Sequence, residues 1–482
     1  MSLLTNYNVI QVNEKTGVEH VNNINMAQLI INESEYNFHT IEDIDSGKQE
    51  IFYYKDGCYH KGGENRIKPL VDTYLGNKSN INRKREIIDY IKNQNYQEWD
   101  DLEPPLNLIN LKNGIFNIDK KKLIPHDSKY FFIQQLPIIY DEKAECPKLL
   151  KFFEEVVYQN YIPVLQEMFG FILYRDYFLH KAFLFLGGGR NGKSSVIEII
   201  ANLIGKKNCA TRSLHDLIEN RFASSSLYGK MVNLGAEISN KTLFDTSTFK
   251  HLTGGDYISA EFKRRNAFVF KNYAKLVFNA NKIPYTKYDK SLAFFQRWII
   301  IVFPNTFEIN SKGTDPQIVK KITTNKELSG LFNWSLIGLE RLLKNYRFSD
   351  AIEENEIGEW YETLVSPEKF FMKEHLEEIE DIYLPNYEVY DEYKKWALER
   401  GYPVLTLSAF SRAIKKYFKT CDIVSHRING NVTKCYKNIN WRLDKMNIIQ
   451  TSNHKIDYFN PESFIPSEEK REHIEKKISK DL

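Results

Sequence analysis

The sequence predicts an α/β protein: a core sheet of short apolar strands carrying a glycine-rich loop, with a small N-terminal α+β module and a helical collar before it and a winged-helix domain after it. Three observations carry that expectation. The apolar run Ala182 to Leu186 passes directly into Gly187-Gly188-Gly189-Arg190-Asn191-Gly192-Lys193-Ser194-Ser195 and then into a helical pattern from Val196 to Leu203. Further apolar runs between residues 228 and 303 each begin or end at a polar residue that chemistry could use. Near the C-terminus, two amphipathic helical patterns precede two strand-like segments around an Asn-Gly turn.

Length and composition bound the rest. A chain of 482 residues suggests ~3 domains, and 42% hydrophobic content is enough to fill their cores. The formal net charge is only +3, so a surface for nucleic acid has to come from local basic patches. The five cysteines (Cys58, Cys146, Cys209, Cys421, Cys435) form no C-x-x-C pair and have no histidine partners at zinc spacing, which points to a reducing cytosol without structural zinc. No signal peptide opens the sequence and no apolar run reaches about 18 residues, so a cytoplasmic protein away from membranes is expected.

Residues 1–104 read as an accessory module. Lys55-Asp-Gly-Cys-Tyr59 is a hairpin turn after the strand-like Ile51-Phe-Tyr-Tyr54, and Ile67 to Leu75 and Arg85 to Lys92 are amphipathic helical patterns. The acids of this segment form no strand-borne pair, which argues against a primase or polymerase site in it. Trp99-Asp-Asp-Leu-Glu-Pro-Pro105 is polar and carries two prolines, and a boundary is expected there. In residues 105–179, Asn113-Gly114 is a hairpin signal between apolar runs. Apolar residues at helical spacing from Leu149 to Val157 and from Val164 to Tyr174 then predict a packed collar.

Residues 180–345 carry the chemistry. Gly187, Gly192, Lys193 and Ser194 complete G-x-x-x-x-G-K-[ST], the phosphate-cradling P-loop. Glycines let backbone N–H groups turn toward phosphate oxygens, and the following helix adds the partial positive charge of its N-terminus. Gly187 to Ser195 are therefore the expected nucleotide-binding residues, with Lys193 on the β- and γ-phosphates and the Ser194 hydroxyl on Mg²⁺. The strand-like Tyr228 to Glu237 ends in a carboxylate where such a site needs an acid, to order the metal or to polarise the attacking water. Lys263-Arg264-Arg265-Asn266 is a basic turn between two strand-like segments, either a solvated hairpin or a loop that neutralises nucleic-acid phosphates. The run from Lys275 ends at Asn281, which can orient the lytic water or simply turn the chain before Pro284. Arg297, just ahead of Trp298 to Phe303, is a structural ion-pair partner or an arginine finger.

Lys326 to Leu343 is a long apolar-striped helix, and Glu353 to Glu359 an acidic, exposed patch. In residues 346–445, Tyr387 to Leu398 and Ser408 to Phe418 read as helices. Ser408 is expected to cap the second, which buries Phe410, Ile414 and Phe418 and leaves Arg412, Lys415, Lys416 and Lys419 outside. With the turn Arg427-Ile-Asn-Gly-Asn-Val432 and a strand ending at Asn440-Trp-Arg442, this is the pattern of a winged helix, whose basic helix would meet a DNA groove or backbone. Residues 446–482 are expected to form a charged, loose tail.

The order P-loop, strand-end Glu237, basic hairpin, strand-end Asn281 and Arg297 resembles that of the superfamily 3 helicases, AAA+ ATPases of small replicons. More narrowly, Gly-Gly-Gly-Arg-Asn-Gly-Lys-Ser, Lys250-His-Leu-Thr-Gly-Gly-Asp256 and Asn281-Lys-Ile-Pro284 resemble the phage/plasmid primase-helicase family, with its poxvirus-type members and the replication proteins of staphylococcal pathogenicity islands. Asn113-Gly-Ile-Phe-Asn-Ile through Leu165-Gln-Glu-Met-Phe-Gly170 is similar to the helical domain those proteins carry before their ATPase. The resemblance spans roughly residues 105–440. It implies an AAA+ core in a homo-hexameric ring with ATP and Mg²⁺ between subunits. Lys193, Ser194, Glu237 and Asn281 would act in cis, Arg297 would reach the neighbour's γ-phosphate, and Lys263 to Arg265 would line a channel for single-stranded DNA. Two positions depart from the pattern: Ala236 stands where many members have a first acid, and Gln296 where relatives often have a first arginine. The resemblance further implies a helicase that starts and drives replication of a mobile genetic element in a bacterial cytoplasm, with origin double-stranded DNA on the winged helix and a separate primase or host polymerase as partner. An origin-binding ATPase that melts or loads DNA without processive unwinding is the alternative. A small-molecule P-loop kinase would leave the basic hairpin, Arg297 and the basic helix without a purpose.

Overall fold

The computed structural model describes residues 3–43, 47–98, 102–238, 246–281, 292–307, 315–349, 366–399, 404–428 and 431–442. The chain divides into two compact units, residues 1–351 and 352–482.

After a helical turn (Leu3–Asn6) and a small antiparallel hairpin (Ile10–Val12 with Glu19–Val21), the first unit continues with helix α1 (Asn23–Glu33), the antiparallel strands β1 (Phe38–Asp43), β2 (Lys48–Lys55) and β3 (Cys58–Lys61), and helices α2 (Glu64–Leu75) and α3 (Ile81–Gln94). The β2–β3 turn is Asp56-Gly57, both at positive φ (52° and 81°), which matches the twist of a two-residue hairpin. Ile51, Tyr53, Ile67, Val71, Ile87 and Ile91 close a core between sheet and helices. Ile41, Phe52 and Tyr59 instead pack with Phe131, and the Tyr59 N–H donates to the Phe132 carbonyl at 2.7 Å. The Asn110 amide donates to the Gly57 carbonyl at 2.9 Å. The double-proline stretch therefore marks no gap between compact units, because the sheet on one side uses residues from the other; Trp99 to Asp101 lie outside the described residues.

The next hairpin, β4 (Leu108–Leu111) and β5 (Gly114–Asn117), with β6 (Lys122–Ile124) beside it, turns at Lys112-Asn113, one residue earlier than the Asn-Gly signal suggests. Gly114 opens the second strand at φ 153°, and a Cβ there would lie 2.6 Å from the Ile124 carbonyl oxygen. The glycine answers to a close approach rather than to the turn.

Helices α4 (Pro147–Val156) and α5 (Ile162–Leu173) form the collar. Then come β7 (Ala182–Leu186), α6 (Lys193–Ile204), β8 (Cys209–Ala210), β9 (Val232–Glu237), the hairpin β10 (Tyr257–Glu261) and β11 (Ala267–Lys271), β12 (Lys275–Ala280), β13 (Trp298–Val302) and the long helix α7 (Asn325–Asn345). A wholly parallel sheet runs β8-β9-β12-β7-β13. Every residue of β7 is buried, as expected of a strand covered on both faces. Parallel pairing gathers all C-terminal strand ends at one edge. The chain leaves the interior strand β7 for one flank and later adds β13 on the other, so strand order reverses at the end of β7, where open α/β sheets bind ligands.

Collar and closing helix meet backbone to backbone. A Cβ on Gly170 of α5 would lie 2.5 Å from the Ser335 carbonyl oxygen, and one on Gly338 of α7 would lie 2.4 Å from the Gln166 carbonyl oxygen. Beside this contact the fully buried Glu167 accepts from Arg341 Nε at 2.5 Å, the Ser349 hydroxyl at 2.5 Å and the Ser349 N–H at 2.8 Å.

The second unit runs α8 (Pro367–His375), β14 (Leu376–Pro385), α9 (Asn386–Glu399), α10 (Leu407–Tyr417), β15 (Asp422–Ile428) and β16 (Asn431–Trp441), with an antiparallel sheet in the order β14-β16-β15. The cap of α10 is Thr406 rather than Ser408: the helix already starts at Leu407, and the Thr406 hydroxyl accepts the Ala409 N–H at 3.3 Å. Phe410, Ile414 and Phe418 are buried with Phe371, Tyr393, Trp396 and Tyr436, while Arg412, Lys415, Lys416 and Lys419 are exposed. The acidic patch from Glu353 to Glu359 and the 446–482 tail lie outside the described residues.

Candidate functional site

At Leu186 the chain must pass from strand to helix within a few residues. Gly187 (φ 155°) and Gly192 (φ 92°) make the bends, and both also lack room for a side chain. A Cβ on Gly187 would lie 2.3 Å from Asn191 Nδ2 and 2.5 Å from the Phe303 carbonyl oxygen; one on Gly192 would lie 2.6 Å from Val156 of α4. Gly188 and Gly189 face open space. Arg190, exposed, holds φ 58°, an uncommon conformation for a side-chain-bearing residue, and its carbonyl accepts the Phe307 N–H at 2.8 Å. Among the described residues, the N–H groups of Gly188 to Gly192 donate to no backbone carbonyl, which leaves a run of donors around the loop.

Lys193 opens α6 and is only 7% exposed. Its ammonium donates to the Gly187 and Gly188 carbonyls at 2.6 and 2.7 Å and to Asn281 Oδ1 at 3.5 Å. Burial pushes its pKa down, and the Glu237 carboxylate opposes that shift. Asn281, directly after β12, donates its Nδ2 to Glu237 Oε1 at 2.5 Å. Glu237 ends the neighbouring β9, which is bulged against β12 between Leu234 and Glu237; Gly235 permits the bulge, since a Cβ there would lie 2.3 Å from Phe278. The P-loop lysine, the strand-end amide and the strand-end carboxylate are thus brought into one line. Ser194 is exposed, and Ser195 half-buried, on the first turn of α6.

Among the described residues no three His, Cys, Asp or Glu side chains converge on a metal position. One hydroxyl (Ser194), one carboxylate (Glu237) and a loop of free N–H donors instead suit a Mg²⁺ that keeps waters and shares phosphate oxygens.

Arg297 is not in this site. It precedes β13, whose first residue Trp298 pairs with Ala182, the first of β7, so it lies at the strand N-termini, about 17 Å along the strand from the Lys193 edge. Its guanidinium donates to the Ala293 carbonyl at 2.5 Å, and its own carbonyl accepts the Ala182 N–H at 2.6 Å. The basic turn is the tip of the isolated β10–β11 ribbon, where Lys263, Arg264 (φ 66°) and Arg265 are all exposed. Beneath it Phe262 stacks on Phe268 (centroids 5.1 Å apart), and Tyr228 meets Phe268 and Phe270 edge-on. In the second unit Lys415 is paired with Asp422 at 3.1 Å.

Sequence reading overlooked two residues. Lys275, at the start of β12, is fully buried; it donates to the Tyr174 and Tyr273 carbonyls at 2.6 and 2.9 Å and faces the rings of Phe171 and Tyr177 at 4.5 and 5.2 Å. Burial pushes its pKa down to about 7. Phe307, beside the P-loop, belongs to no motif.

Three family models match successive parts of the chain. Residues 48–158 match the model described as D5 N terminal like, across the double-proline stretch; residues 185–297 match a family of unknown function (DUF5906); residues 353–466 match the model described as Poxvirus D5 protein-like. No curated protein matches. Among solved structures the chain is similar to the C-terminal region of NrS-1 in its apo form, at 11% identity over 83% of this chain and 96% of that one with a TM-score of 0.44. A second structure of that region gives 10% identity over 87% and 100%, with a TM-score of 0.43. Values this low decide nothing about the site. D5-type models thus match the chain on both sides of the P-loop.

Proposed function

We propose that the chain is an ATP-dependent DNA helicase, working as a homo-hexameric ring that starts and drives replication of a mobile genetic element in a bacterial cytoplasm. The observation that carries this reading is the Lys193–Asn281–Glu237 line at the C-terminal edge of a parallel sheet in which an interior strand bears the P-loop. The strand order, with β7 between β12 and β13, fits the AAA+ core of superfamily 3. On ATP binding Lys193 exchanges its loop carbonyls for phosphate oxygens, which also take the N–H groups of Gly188 to Gly192. Ser194 would hold Mg²⁺, which supplies charge neutralisation on those oxygens. Asn281, freed from Lys193, orients the attacking water, and Glu237 either accepts its proton or completes the hold on the metal, a choice that Glu237→Gln decides. Arg297 lies at the opposite edge of the sheet from its own P-loop, so a hydrolytic role for it would be played on a neighbouring subunit. Lys263, Arg264 and Arg265 would grip the phosphates of single-stranded DNA. The order α8-β14-α9-α10-β15-β16 fits a winged helix with Arg412, Lys416 and Lys419 free to meet origin double-stranded DNA, and Lys415 reaching it from its pair with Asp422. A separate primase or the host polymerase would complete the assembly.

A subunit-mixing experiment tests the shared site. Lys193→Ala and Arg297→Ala each stop hydrolysis alone, and mixed subunits regain part of it wherever an intact loop meets an intact arginine. No recovery at any ratio overturns the shared site. Replacing Lys263, Arg264 and Arg265 by Ser lowers DNA-stimulated hydrolysis by about tenfold or more and spares the basal rate. An equal fall in basal rate would make the hairpin a structural element.

A further inference from the structure

The segment after β13 has no part in the reading above, yet it is fastened to the P-loop at successive points. The Phe303 N–H donates to the Leu186 carbonyl at 2.8 Å, Asn191 Nδ2 donates to the Phe303 carbonyl at 3.4 Å, and the Phe307 N–H donates to the Arg190 carbonyl at 2.8 Å. Asn305 Nδ2 donates to the Glu155 carbonyl in α4 at 2.8 Å. The pin at Phe307 uses the backbone, which any residue but proline supplies, so the ring itself is free for another purpose. Phe307 is half-buried and packs in part against the core.

Strand order decides which end of a bound nucleotide comes here. Lys193 is tied to Asn281, and Asn281 to Glu237, both at the ends of strands on one side of β7. The γ-phosphate end belongs on that side. β13 pairs with β7 on the other side, and its continuation runs along the loop as far as Phe307. A polyphosphate laid along the loop donors therefore directs its nucleoside over residues 303–307.

We propose that this segment is the base-binding subsite and that the half-buried Phe307 ring stacks the nucleotide base. The inference rests on the nucleotide-binding reading of the P-loop and adds to it a residue that holds the base. The test uses the full chain with Mg²⁺ and two probes, ATP and inorganic tripolyphosphate, which has no base. Phe307→Leu keeps the backbone donor and the apolar packing but has no aromatic face. It should weaken ATP binding about tenfold and leave tripolyphosphate binding unchanged, while Phe307→Tyr binds ATP as the parent does. Unchanged ATP affinity in Phe307→Leu overturns the proposal, as does an equal loss for both probes. If the parent chain binds neither probe better than Lys193→Ala does, the P-loop reading itself fails, an outcome distinct from both.

Discussion

Lys193 and Lys275 stand at opposite edges of the same parallel sheet, each buried and each donating to two main-chain carbonyls. Burial pushes both pKa values down. They differ in what lies next to them. Lys193 has an amide within reach, a carboxylate behind that amide and a loop open to solvent, so its carbonyl partners can be exchanged for those of a ligand. Lys275 is fully buried beside the rings of Phe171 and Tyr177, and the Asp176 carboxylate that opposes its burial is itself paired with Lys271 at 2.8 Å. A buried lysine becomes a working group through alternatives held in reserve, and burial alone makes it a strut.

The sharpest way to break this contrast is a pair of substitutions. Lys193→Ala should lower ATP turnover at least about a hundredfold while the unfolding free energy stays within about 1 kcal/mol of the parent. Glu237→Gln should cost about a hundredfold in turnover with nucleotide binding retained, because the proton acceptor is lost and the loop is intact; loss of binding would instead assign Glu237 chiefly to the metal. Lys275→Met should do the reverse of Lys193→Ala. It leaves the Tyr174 and Tyr273 carbonyls unpaired in the interior and should cost about 2–4 kcal/mol in denaturant unfolding, with turnover per folded molecule preserved. A Lys275→Met chain as stable as the parent would end the comparison.

The last prediction is a pH slope, small over any one unit of pH. Folded Lys275 sheds its proton above about 7, whereas an unfolded lysine holds it to about 10.4. Between those values the unfolded chain binds more protons, so stability rises with pH, by up to about 1.4 kcal/mol per unit, and below about 7 the burial penalty is complete and level. Subtracting the Lys275→Met series isolates this group. A flat difference across the window would mean that the two aromatic rings hold the cation against its burial.

Much of the site was legible because its residues sit at marked places: the P-loop spells itself out, and Glu237 and Asn281 each end an apolar run. The edge that Arg297 occupies was not legible, since it depends on strand direction and on the pairing of Trp298 with Ala182. Lys275 gave no signal because its acceptors come from Tyr174 and Tyr273, and its ring neighbours from elsewhere in the chain. Local ambiguity explains the smaller misses. Lys112-Asn113 and Asn113-Gly114 are both plausible turns, and the choice was made by the room Gly114 lacks beside Ile124. Thr406 and Ser408 can both cap a helix, and the one whose third residue on is Ala409 did so.

The contact at Gly170 and Gly338 bears on how the two helices are held. At these two positions backbone meets backbone with no room for a Cβ. Helices α5 and α7 act there as a riveted pair, and a single methyl group at either glycine would act as a wedge that drives them apart.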